Sequence, residues 1–100
     1  MSLSKLRDQI DAIDREWIKL LKQRLDVAKQ IALVKKNNRM PILDLEREAW
    51  MKAEIRRLAQ EQQINERMVE EIFHLVIFYT KQEMLRLPNG TLPSQRNSEM

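Results

Sequence analysis

The sequence predicts an all-α fold: a three-helix chain with one very long N-terminal helix, paired with a second copy as an intertwined antiparallel homodimer. Three observations carry this. Apolar residues recur in steps of three and four from Leu6 to Val34, the spacing of one helix face. Only two short stretches, "NNRMPILD" and "EQQIN", break helical patterning before residue 88. The first helix is also too long for its own domain.

That helix covers residues 3 to 39, where no Pro or Gly intervenes. Its stripe reads Leu6, Ile10, Ile13, Trp17, Leu20, Val27, Ile31 and Val34, with Arg24 standing where an apolar residue belongs. Roughly 34 residues at about 1.5 Å each span about 50 Å. A compact 100-residue globule with a gyration radius of about 13 Å is only about 35 Å across. So long a stripe cannot be covered by the rest of one chain, and a second copy laid alongside is expected to cover it.

Pro41 lacks an amide donor and pushes Met40 out of helical geometry, which ends the first helix. Asp44 then caps a second helix to about residue 61, with Leu45, Ala49, Ala53 and Leu58 as inward candidates. Ile64 and Val69 bracket Asn65 as a hydrophobic staple around a cap. This opens a third helix whose face reads Met68, Ile72, Val76, Tyr79 and Thr80. From Pro88 onward, turn formers without periodicity predict a flexible tail, so the domain is expected at 3–87 and the tail at 88–100.

Composition removes whole classes of function. There is no cysteine and a single histidine, His74, so disulfides and metal clusters are not expected. One glycine, Gly90, is too few for a phosphate-cradling loop or a dinucleotide fingerprint. The net charge of +3 comes from bases interleaved with acids, and its tightest cluster is only Lys35, Lys36 and Arg39, so nucleic acid is not an expected partner. The longest apolar run, "LVIFY" at 75–79, is far too short to span a membrane. A soluble, cytoplasmic protein is expected.

The informative residues are the misplaced charges. Arg24 and Lys35 are eleven residues apart, which returns to nearly the same helix face about 16 Å further on. An unpaired buried cation costs several kcal/mol, so these two need an anion, resident or visiting. The resident alternative pairs Arg24 with Asp44 or Glu48 and lets Lys35 snorkel from the helix end. Asp44, Arg47 and Glu48 share one face of the second helix's first turn, where a base such as Arg47 runs against the helix dipole. Arg7, about 25 Å before Arg24 and a quarter turn off its face, cannot reach the same site in one chain. In an antiparallel pair it would reach the neighbour's. Three arginines and a lysine around a groove with two acids on its rim suit a small dicarboxylate that carries a hydroxyl.

In order and spacing, "LRDQIDAID", "LLKQRLDVAKQIALVK", "PILDLEREA" and "IFHLVIFYT" resemble the all-helical chorismate mutase family over about residues 3 to 84. The resemblance implies an intertwined dimer that converts chorismate to prephenate without a cofactor. By motif position, Arg7 of the partner chain with Arg24 and Arg47 would hold the two substrate carboxylates. Lys35 would bond the ether oxygen and one carboxylate, and Asp44 and Glu48 would engage the ring hydroxyl side. Thr80 matches the family's small hydroxyl residue. Four positions on, the family has a glutamine or glutamate that donates a second hydrogen bond to the ether oxygen, and here Met84 stands instead. A thioether cannot donate. Glu83 or a water could stand in, or the pocket could serve isochorismate or 4-amino-4-deoxychorismate. The resemblance implies that Asp44 and Glu48, which the family's lyase relatives lack, favour a mutase, and a weakly active regulatory or partner-dependent dimer is the alternative from another class. Trp17 and Trp50 are expected in core or dimer contacts, and His74 on the surface.

Overall fold

Three α-helices make up the computed structural model, which describes residues 1–87: α1 (Leu3–Asn37), α2 (Leu45–Glu61) and α3 (Glu66–Leu85). There is no strand among the described residues. The tail expected from Pro88 lies outside them.

Each helix starts on a side-chain cap. Ser2 accepts from the Lys5 amide at 3.1 Å, Asp44 from Arg47 at 3.0 Å and Asn65 from Met68 at 2.9 Å. The two later caps are those the sequence predicts. Replacing Asn65 with alanine leaves the Met68 amide without its cap and is expected to cost about 1 kcal/mol, read as a lower midpoint in denaturant melting.

The first two helices end alike. Arg39 and Gln63 take left-handed backbone, with φ of 57° and 56°. The amide after each reaches back five residues, Met40 to Lys35 O at 2.7 Å and Ile64 to Ala59 O at 3.0 Å. Helix α1 therefore stops two residues short of the predicted 39. The reversal at Arg39 ends it, and Pro41 merely forbids resumption.

At 35 residues α1 is about 52 Å long, and it sets the 55 Å extent of the chain. The gyration radius is 17.5 Å, against about 13 Å for a compact chain of this size. Helix α3 packs against both other helices, and small residues permit the approach. Ala28 and the fully buried Ala32 of α1 receive Met84 of α3, with Ile42 and Leu87 against the cluster.

Two expected faces are corrected. In α2, Leu45, Ala49, Ala53 and Leu58 are exposed, while Glu48, Met51, Ile55 and Ala59 turn inward. The Asp44 cap fixes where the helix starts, and packing on α3 selects the row beside the expected one, about 100° round the axis. In α3, Met68 and Tyr79 point outward. Ile72, Val76 and Thr80 turn inward as expected, together with Val69, Phe73, Ile77 and Met84. The apolar α1 stripe is left bare by the described residues: Ile10 is 59% exposed, Trp17 51% and Val34 57%.

Candidate active site

Residues of α1, α2 and α3 line one open cavity of about 750 Å³. Arg24, Lys35, Asp44, Arg47, Glu48, Thr80 and Met84 all line it, so seven of the eight site residues expected from sequence meet in one place. Arg7 does not. It is exposed, seventeen residues up α1, as the helix geometry requires.

Each of the three lining cations expected from sequence is held without a carboxylate. Arg24 donates through Nη1 to Thr80 Oγ1 at 3.1 Å, and Nη2 lies 4.0 Å from Met51 Sδ. Lys35 Nζ donates to the Ile42 carbonyl at 3.1 Å, which ties the end of α1 to the α1–α2 connection. The Arg47 guanidinium stacks over the Trp50 ring, 4.5 Å from its centroid. This stacking explains how a base is tolerated in the first turn of α2, and it gives Trp50 a role the sequence did not connect to Arg47. None of these three cations has an acid within 4.0 Å among the described residues. The alternative in which Arg24 pairs with Asp44 or Glu48 is therefore not what the chain does.

Burial, and after it the neighbouring charge of Arg47, push the Arg24 guanidinium below its ordinary pKa. Both effects disfavour the charged form, and the opposite charge of an entering anion would favour it. Thr80 is already committed: its hydroxyl donates to the Val76 carbonyl at 2.6 Å while accepting from Arg24. Its one proton is spent, so in this arrangement it orients the guanidinium.

Two residues depart from the sequence expectations. Glu83 does not line the cavity; it bonds Arg86 at 2.9 Å and lies 3.9 Å from Lys29, so it is not placed to replace the donor missing at Met84. Lys81, not among the residues expected at the site, lines the cavity and donates to both Glu48 oxygens, at 3.1 and 3.2 Å. Its partner lies 33 residues away in the chain, so no local spacing marks it.

The model of the chorismate mutase type II family matches residues 6–84, nearly all of the described chain. The chain belongs to the type II chorismate mutase family. It is 35% identical over 79 residues to a chorismate mutase of Methanocaldococcus jannaschii, covering 79% of this chain and 80% of that one. It is also 35% identical over 75 residues to the T-protein of Enterobacter agglomerans. With a bifunctional chorismate mutase/prephenate dehydratase of Buchnera aphidicola it shares 33% over 76 residues. The chain spans 20% of the length of each of these last two. The matched span of the chorismate mutase family takes in every one of the eight expected site residues, from Arg7 to Met84.

Proposed function

We propose that this cavity binds chorismate and rearranges it to prephenate, as a step of aromatic amino acid biosynthesis. The observation that carries this is the set of three cations, Arg24, Lys35 and Arg47, facing one hollow with no carboxylate paired to any of them among the described residues. A dianionic guest supplies the missing charge.

The reaction is one cyclic electron shift: the ether C–O bond breaks as a C–C bond forms, and nothing is added or lost. It needs no nucleophile and no metal. The protein's part is to fold the enolpyruvyl arm over the ring and to favour the charge that grows on the ether oxygen. Arg24 has donors left after Thr80 and Met51, and with Arg47 it would clamp the carboxylates. Lys35 keeps two of its three donors free beyond the Ile42 carbonyl and is assigned to the ether oxygen. Asp44 and Glu48 would receive the ring hydroxyl.

The proposed assembly is an intertwined antiparallel homodimer in which Arg7 of a second copy completes each site. The bare α1 stripe supports it, because a lone chain would leave Ile10, Ile13 and Trp17 in water. Sedimentation is expected to give a dimer at micromolar concentration. Chains carrying Arg7→Ala and chains carrying Arg24→Ala should each be inactive alone. Mixed and reassorted, half the dimers would carry one intact site, restoring about a quarter of the wild-type rate. No recovery on mixing would sink the shared site. A cytoplasmic setting fits a chain that lacks cysteine and so gains nothing from an oxidising compartment.

Incubation with chorismate, isochorismate and the 4-amino analogue, with products identified, tests the activity. Prephenate from chorismate is the expected result. A folded dimer that turns over none of the three would favour a second reading, a weakly active partner-dependent or regulatory module. Met84, apolar and 8% exposed where a donor would serve the ether oxygen, is the observation on that side.

A further inference from the structure

Glu48, Ile77 and Lys81 form a wall shared by two hollows, the cavity described above and a groove of about 670 Å³ between α2 and α3. Within this wall the Lys81 ammonium sits against both oxygens of Glu48, at 3.1 and 3.2 Å. The pair joins α2 to α3, and both side chains are partly withdrawn from solvent. Its position at the rim of the cavity gives it a chemical consequence beyond tethering two helices.

We infer that Lys81 is a specificity-determining residue, selecting a ring substrate whose polar substituent is a neutral hydroxyl over one whose substituent is an ammonium. The inference rests on the chorismate reading above and deepens it. An ionised carboxylate has about four acceptor positions, and one ammonium leaves some of them open. A hydroxyl can donate to those without bringing charge. An ammonium at the same place would sit within about 6 Å of the Lys81 ammonium, both cations crowding one carboxylate. Its attraction to Glu48 is then offset by repulsion from Lys81, and the usual advantage of an ion pair over a neutral hydrogen bond is lost. Discrimination of this kind arises from a repulsive element set against the wrong guest. Without Lys81, the open charge of Glu48 would favour the amine.

The test measures kcat/KM for chorismate and for 4-amino-4-deoxychorismate in the wild type, Lys81→Met, Lys81→Gln and Lys81→Arg. The two uncharged variants are expected to shrink the preference for the hydroxylated substrate by about tenfold or more, chiefly through a lower KM for the amine. Lys81→Arg should restore it. A merely structural tether would lower the melting temperature and leave the ratio of the two substrates alone. A ratio unchanged within twofold in whichever uncharged variant folds overturns the assignment, while chorismate turnover by the wild type keeps the functional reading intact. Should the folded wild type convert neither substrate, that reading fails and the role of Lys81 falls with it.

Discussion

Replacing Lys35 with alanine is expected to abolish prephenate formation, with kcat falling by at least about 10³-fold. Lys35 is the cation of the last turn of α1 that lines the cavity, anchored by one hydrogen bond to the Ile42 carbonyl at 3.1 Å. A pericyclic reaction offers the protein no covalent intermediate to stabilise. Most of the electrostatic gain must therefore come from donors already fixed where charge develops. Because the same ammonium ties down the α1–α2 connection, Lys35→Arg is the needed companion. It keeps a donor and a charge, and it should retain far more activity than the alanine variant while melting at a similar temperature. A Lys35→Ala enzyme within tenfold of wild type would show that this amine does not face the reacting oxygen.

The second large effect runs the other way. Met84→Gln is expected to raise kcat for prephenate formation by about tenfold to a hundredfold, the inverse of losing one oxyanion donor. Met84 lines the cavity and also packs with Ala28 and Ala32 in the small core of the chain. An amide there loses thioether packing and is incompletely hydrogen-bonded until substrate arrives, so stability should fall by about 1–3 kcal/mol. Activity and melting temperature are thus expected to move in opposite directions, a trade found where an active site borders a core. If the glutamine variant folds and its rate is unchanged, this position of α3 does not face the ether oxygen.

What the sequence revealed and what it hid divide along one physical line. Periodicity and caps are local, so the order and bounds of the helices were legible to within two residues, including the caps at Asp44 and Asn65. The cations of the site were legible because charge at an apolar beat is costly, and Arg24 advertises itself by that cost. Which face of α2 turns inward was not legible. Its apolar residues are spread around the axis, and the choice of Met51, Ile55 and Ala59 over Leu45, Ala49 and Ala53 is made by α3. Lys81 was missed for a related reason: its partner Glu48 is 33 residues away, and no local pattern joins them. The stacking of Arg47 on Trp50 is only three residues apart and could have been found by asking what steadies a base at a positive helix end.

The bare length of α1 bears on how the protein comes into being. With Ile10, Ile13 and Trp17 unprotected in one chain, acquiring a shape and finding a mate become a single bimolecular event under the proposed assembly. Thermal midpoints should then climb as the solution is concentrated, and a freshly translated, scarce copy would be open to proteolysis until its twin is made. Abundance in the cell, as much as any residue, would decide how many working catalysts exist.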